Sequence, residues 1–308
     1  MTRPARERPA MPSHPTELLV PAITPFAADH AVDHGAFLER AQALLEAGAH
    51  GLAPFGTTSE ANSLTVAERR AALEALVEGG IEPGCLVPGT GCCAVADTVE
   101  LSRHAAGLGC RGVLMLPPFF YKGVPEDGVY DAFAQAIEGV GPGARIYLYH
   151  IPQMSGVPIT LPLIGRLVAA FGTAIAGLKD SSGDWENTAA VIAAYPQLAT
   201  YSASEAMIPR NVAAGGAGCI SASANVNPAG IRRLIDGLGG EGEEALLEQV
   251  SEVRRLFEGL PLVPAVKAAV AAQAGAEGLA RVRPPLRAMA PDDAGVLRAV
   301  DAAGPQAA

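Results

Sequence analysis

Short apolar runs alternate with helical patterns from Leu18 onward. Leu18-Leu19-Val20-Pro21-Ala22-Ile23-Thr24 predicts a first strand. Phe37, Ala41, Leu44 and Leu45 then mark one face of a helix that Gly48 can stop. Gly51 to Phe55 predicts a second strand, and Gly56-Thr57-Thr58-Ser59-Glu60 follows it as a turn. Thr65 with Glu68 forms a capping box for the next helix, with Leu73, Leu76 and Val77 facing inward. Cys85 to Thr90 and Gly112 to Leu116 predict strands three and four, with a helix from about Ala94 to Ala106 between them. Phe133, Ala136, Ile137 and Val140 give a fourth helix with i, i+3, i+4, i+7 spacing. Arg145 to His150, Ile175 to Leu178, Ala199 to Ser202 and Gly218 to Ser221 complete the strands.

The apolar runs are mostly continuous rather than alternating, as parallel strands covered on both faces require. Eight such runs in strand–helix order predict an α/β chain folded as a (β/α)8 TIM barrel over residues 17–236. No GxGxxG follows the first strand, which argues against a doubly wound dinucleotide domain. Beyond the barrel no strand pattern recurs. Leu246, Val250, Val253 and Phe257 mark one helix, Val266, Ala269 and Val270 another, and 294–302 a third. Residues 237–308 therefore read as a helical appendix packed on the barrel, and 1–16, rich in Pro and Arg, as a flexible N-terminal tail within which Met11 is a second candidate start.

Composition narrows the function classes. The chain is 49% hydrophobic and 18% charged, enough apolar surface for a large core. Its formal net charge of −10 favours no polyanionic partner, so nucleic acid is set aside. No apolar run is long enough to span a membrane, and no signal-peptide core is present. The five cysteines form no CxxC pair, and their odd count argues against a disulfide framework. Buried structural thiols in a reducing, cytoplasmic compartment are expected.

Only three lysines occur: Lys122, Lys179 and Lys267. Active-site groups of a barrel sit at the C-terminal ends of its strands. Lys267 falls mid-helix in the appendix and Lys122 in a loop, whereas Lys179 closes a strand. Two readings of Lys179 stay open. Desolvation can lower its pKa and free the amine as a nucleophile, or it can snorkel to solvent or pair with Asp180. The turn at Thr57 and Thr58 offers hydroxyls and backbone N–H groups to a small carboxylate, or it is an ordinary Ser/Thr turn. Tyr147 and Tyr149 share one strand face, and the Tyr149 phenol is a candidate proton relay or a satisfied core hydroxyl. His150, on the opposite face, reads as structural. No metal-ligand constellation and no Ser/His/Asp pairing stands out.

Gly56-Thr57-Thr58-Ser59-Glu60, Tyr149-His150-Ile151-Pro152 and Gly177-Leu178-Lys179-Asp180, in this order and spacing, resemble the dihydrodipicolinate synthase / N-acetylneuraminate lyase family. Similarity extends through Pro21–Phe26, Leu116–Lys122, Ser204–Ala206, Ala222–Asn225 and Arg283–Arg287, nearly the whole chain after the tail. The resemblance implies a barrel with C-terminal helices, a homotetramer built as a dimer of dimers, and a class I lyase. That lyase would need no metal or other cofactor, because the chemistry runs through a covalent imine on Lys179 with pyruvate or a related 2-keto acid, and an aldehyde is the second reactant. It assigns Lys179 the Schiff base, Tyr149 the proton relay, Thr57 and Thr58 the keto-acid carboxylate, and Ala203 and Ile220 backbone contacts to the keto acid. Three departures mark this chain. Met154 stands where the synthase branch has an arginine that grips the aldehyde substrate's carboxylate. Phe120 stands where a tyrosine usually reaches a neighbouring subunit, with Tyr121 next to it. Ser59 replaces a glycine of the threonine turn. The expectation is aldol cleavage, condensation or dehydration of a 2-keto-3-deoxy acid. The synthase reaction proper and a non-catalytic keto-acid-binding relative are the alternatives.

Overall fold

The computed structural model describes residues 14–290 and 292–304. Among them seven parallel strands run β1 (Glu17–Val20), β2 (Gly51–Leu52), β3 (Val113–Met115), β4 (Ile146–His150), β5 (Ile175–Asp180), β6 (Ala199–Ser202) and β7 (Gly218–Cys219). Their order in the sheet is β2-β1-β7-β6-β5-β4-β3. The third predicted strand fills the gap between the two edges without becoming a regular strand. Val87 N–H donates to the Leu52 carbonyl at 2.9 Å and Gly89 N–H to that of Pro54 at 2.7 Å. On its other side Leu114 N–H donates to Pro88 at 2.9 Å, and Thr90 N–H to Leu114 at 3.0 Å. Pro88 has no N–H to donate and Cys85 belongs to a 3-10 turn, so only bridges at Leu86 and Gly89 remain. The ring so closed is a TIM barrel.

Strand alternation explains the continuous apolar runs. Leu19, Ala53, Val87, Leu114, Tyr147, Tyr149, Tyr201 and Ile220 fill the barrel interior. Their neighbours Leu18, Val20, Leu52, Leu86, Leu148 and Leu178 face outward into a second cluster beneath the helices. Those helices are α1 (His34–Glu46), α2 (Val66–Glu78), α3 (Val95–Gly107), α4 (Glu126–Val140), α5 (Pro152–Ser155), α6 (Leu161–Phe171), α7 (Trp185–Ala194), α8 (Ile208–Ala213) and α9 (Pro228–Asp236). The predicted capping box is present on α2: Thr65 Oγ1 accepts from Glu68 N–H, and the Glu68 carboxylate accepts from Thr65 N–H at 2.8 Å.

Three further helices follow, α10 (Glu243–Arg255), α11 (Leu262–Ala274) and α12 (Ala294–Ala303). Val253, Phe257, Val266, Val270 and Val296 form one apolar cluster that also takes in Ile23 and Val226 of the barrel. The C-terminal helices thus share a core with the barrel rather than standing apart from it.

Several expectations are corrected. The first run stops at Val20 rather than Thr24, where Pro21 ends the ladder, and the second stops at Leu52 ahead of Pro54. The eighth run regularises only over Gly218–Cys219. The sixth runs longer than predicted, to Asp180, so Lys179 lies one residue before the end of its strand. Of the five thiols, only Cys219 is fully buried, Cys93 is exposed and the rest are half-buried. The expected tail falls mostly outside the described residues, but His14 lies against the barrel, with its ring Nε2 3.2 Å from the Pro196 carbonyl.

Candidate active site

Lys179 is only 4% exposed. In the ladder it is flanked by Tyr149 of β4 and Tyr201 of β6. Its Nζ lies 4.3 Å from the centroid of the Tyr149 ring, and among the described residues no carboxylate pairs with it. Asp180, the obvious candidate partner, points the other way, as neighbouring strand residues must. Its Oδ1 accepts from Ser182 N–H at 2.8 Å and Ser182 Oγ at 2.6 Å. Its Oδ2 accepts from Asn187 Nδ2 and Thr188 Oγ1, both at 2.8 Å. Four donors satisfy that carboxylate, so the Asp180 pairing left open by the sequence is not made. Asp180 instead holds the chain leaving β5 and the start of α7.

Tyr149 is also buried, and its hydroxyl lies 3.1 Å from Thr57 Oγ1. An amine, a phenol and a threonine hydroxyl thus form one contiguous group drawn from β5, β4 and the turn after β2. Thr58, 6% exposed, is the next residue of that turn. The turn is bounded by two non-glycine residues in the left-handed region, Phe55 (φ 60°) and Glu60 (φ 57°). Such conformations are held only where surrounding structure fixes them. Gly89 permits the first, since a Cβ at Gly89 would collide with the Phe55 carbonyl oxygen. Ser59, the replacement for a glycine, is fully buried, and its Oγ donates to the Ala22 carbonyl at 2.5 Å. Thr24 Oγ1 returns a bond to the Ser59 carbonyl at 2.8 Å. The substitution thereby ties the turn to the end of β1.

Ile220 shares the interior cluster with Tyr149, and its N–H is engaged with the Ser202 carbonyl at 2.9 Å. Ala203 donates its N–H to Asp180 at 3.0 Å, while its carbonyl accepts from Arg254 Nη1 of α10 at 3.4 Å. A small cavity of about 80 Å³ lies here, lined by Asp180, Ser181, Ala203 and Arg254 among others. A roomier cavity of about 540 Å³ opens at the opposite end, between Glu17, Arg111, Tyr147 and Tyr201. Barrel enzymes place their chemistry at the C-terminal ends of the strands, and the lysine lies there.

Met154 sits on α5 and is 64% exposed; beside it Gln153 Nε2 donates to the Ser181 carbonyl at 2.5 Å. Phe120 and Tyr121 are 73% and 74% exposed and pack edge to face at 5.3 Å. Lys122 ties their loop to α5 by donating to the carbonyls of Phe119 and Ser155. His150 is structural: its Nδ1 accepts from Ile159 N–H at 3.0 Å, and burial lowers its pKa. Sequence reasoning missed the environment of Lys267, which is fully buried and ion-paired to Glu60 at 2.7 Å.

A barrel that gathers an amine, a phenol and a hydroxyl turn at one end has the design of a lyase of the class I aldolase type. The model of the dihydrodipicolinate synthetase family matches residues 14–300, and the chain belongs to that family. It is 38% identical over 260 residues to an uncharacterized DapA-like lyase of Chloroflexus aurantiacus, covering 84% of this chain and 87% of that one. The crystal structure of dihydrodipicolinate synthase from Agrobacterium tumefaciens superposes with a TM-score of 0.85 at 32% identity, covering 93% of this chain and 97% of that one. YagE, a prophage protein of E. coli K12 solved in complex with pyruvate, shares the fold with a TM-score of 0.82 at 23% identity, covering 93% and 96%. The protein is a lyase of this family. No helix among the described residues is long and apolar enough to cross a membrane.

Proposed function

We propose that this lyase forms an imine between Lys179 and pyruvate or a related 2-keto acid and makes or breaks a bond next to it. The contiguous group of Lys179, Tyr149 and Thr57 carries this reading. The Lys179 amine adds to the keto carbon, and the carbinolamine loses water to give a protonated imine. In the cleavage direction the aldehyde's future carbonyl oxygen gives up its proton. The C3–C4 electron pair then flows into the imine, the aldehyde leaves, and an enamine remains. Protonation at C3 and hydrolysis return the 2-keto acid and the lysine. Tyr149, whose ring lies over the amine and whose hydroxyl meets Thr57, moves the protons. Thr57 and Thr58 hold the keto-acid carboxylate through hydroxyl and backbone N–H groups, with Ala203 and Ile220 closing the other side, and this positioning supplies a large share of the rate. The imine supplies the electron sink, so the proposed reaction needs no added cofactor.

Met154 at the arginine position favours a 2-keto-3-deoxy acid, by aldol cleavage or dehydration, over an aldehyde bearing its own carboxylate. The bound pyruvate of YagE supports the keto-acid half. We extend the reading to a cytoplasmic homotetramer, a dimer of dimers whose contacts cover Phe120 and Tyr121. Light scattering should then give four times the 31.4 kDa chain mass. The decisive experiment is borohydride reduction with pyruvate, followed by peptide mass spectrometry and a cleavage screen of 2-keto-3-deoxy acids. The expected result is a reduced adduct on Lys179 alone. No adduct with any of several 2-keto acids would end the proposal.

A further inference from the structure

The threonine turn is held from behind by residues of the C-terminal segment, one on α11 and one between α11 and α12. Lys267, in the middle of α11, is fully buried. Its Nζ donates to Glu60 Oε1 at 2.7 Å and to the Thr24 carbonyl at 2.8 Å, and it lies 4.2 Å from the centroid of the Phe26 ring. The Glu60 side chain is equally buried. Its second oxygen accepts from Arg283 N–H at 2.8 Å. Glu60 N–H donates to the Thr57 carbonyl at 3.1 Å, closing the turn around the two threonines. One ammonium therefore fixes both the segment after β1 and the turn after β2, and Thr24 joins the two directly through Ser59.

Burying two opposite charges is a poor way to gain stability, because desolvation offsets most of their attraction, and apolar pairs of similar volume often serve as well. An apolar pair, however, fills volume without direction. An ammonium with two short, angled bonds sets where a left-handed residue and its neighbours sit. We propose that Lys267 and Glu60 are positioning residues for the keto-acid site, and that α11 sets the shape of the carboxylate-holding turn. This rests on the reading above that Thr57 and Thr58 hold the carboxylate.

The test uses the full-length protein and two probes, pyruvate and acetone, each trapped at Lys179 with borohydride. Acetone forms the same imine but has no carboxylate for the turn to hold. In the double variant Glu60→Gln/Lys267→Met, half-saturation by pyruvate is expected to rise about tenfold while acetone trapping stays within twofold of wild type. If the double variant loses its near-ultraviolet circular dichroism, Glu60→Gln alone carries the test, with an expected rise of about threefold. Unchanged pyruvate half-saturation in a folded variant overturns the proposal. A parallel loss with both probes also overturns it, since that reports general damage to the barrel. Absence of any adduct in wild type is a different result: it removes the imine reading itself, and this inference with it.

Discussion

Lys179 and Lys267 are both buried, yet their surroundings are opposite. Lys267 has a carboxylate, a carbonyl and an aromatic face around its ammonium. Burial pushes its pKa down to about 8, with the Glu60 carboxylate working against the fall. Lys179 has the aromatic face without the carboxylate, because Asp180 is committed to Ser182, Asn187 and Thr188. A buried lysine with its partner at hand is a fastener. A buried lysine whose neighbour in sequence is turned away has the free amine that the proposed imine requires. The two regions meet at Gly56–Glu60, one through Thr57 and the other through Glu60.

The hardest test of this contrast exchanges nothing but the lysine proposed to form the imine. Lys179→Ala should lower turnover by about 10⁴-fold or more while circular dichroism stays native, and borohydride should no longer attach pyruvate. Retained activity would show that the lysine with no carboxylate partner among the described residues is as structural as the paired one. Next comes the proposed relay. Tyr149→Phe keeps the ring over Nζ but removes the hydroxyl, and kcat should fall by about 10²–10⁴-fold. Thr57→Val, which leaves the Tyr149 phenol without its hydroxyl neighbour, should show a smaller fall in kcat.

How much of this was legible in the sequence differs between the two lysines. Lys179 stood out by rarity and by its place at the end of an apolar run, and the hydroxyl turn and Tyr149 by the same strand-end rule. The pairing of Lys179 with Asp180 stayed open in the sequence; the four donors that hold the Asp180 carboxylate on the other strand face decide against it. Lys267 was invisible for a physical reason. Periodicity picks out Val266, Ala269 and Val270 as a stripe, but the small side chains of α11 let it bury the whole run Pro264–Ala271, so there is no polar face for the lysine to occupy. An alanine-rich helix with one lysine and no neighbouring acid was the available signal. Its partner lies 207 residues away and leaves no local pattern. The barrel order was legible from the eight runs, whereas their ends were not: Pro21, Pro54 and Pro88 interrupt ladders that apolar patterning continues.

Two smaller effects probe the scaffold side of the comparison. Gly89→Ala pushes a methyl group against the Phe55 carbonyl, and unfolding by urea should show a loss of about 1–3 kcal/mol. Glu68, paired with Arg283, is held down to about 2 from 4.5, chiefly by that side-chain hydrogen bond. A carboxyl depressed in the folded state stabilises it above its unfolded pKa and stops doing so as pH falls through the folded one. The urea midpoints of wild type and Glu68→Gln should therefore differ slightly at pH 6, converge below pH 4.5 and coincide near pH 2. The difference stays small because the pair is partly solvated. A constant gap would mean that Glu68 acts through packing alone.

The long reach of the Glu60 anchors also has a consequence in time. Lys267 and Arg283 follow Glu60 by 207 and 223 residues. At about 5–20 residues per second, synthesis separates Glu60 from Lys267 by about 10–40 s. Until Lys267 and Arg283 are made, Glu60 lacks both partners that hold it in the finished fold. Ribosome-stalled chains ending before Lys267 should be cut by protease at residues 56–60, and full-length chains should resist. The turn proposed to hold the keto acid is among the first parts of the chain to be made, and the residues that anchor it are among the last.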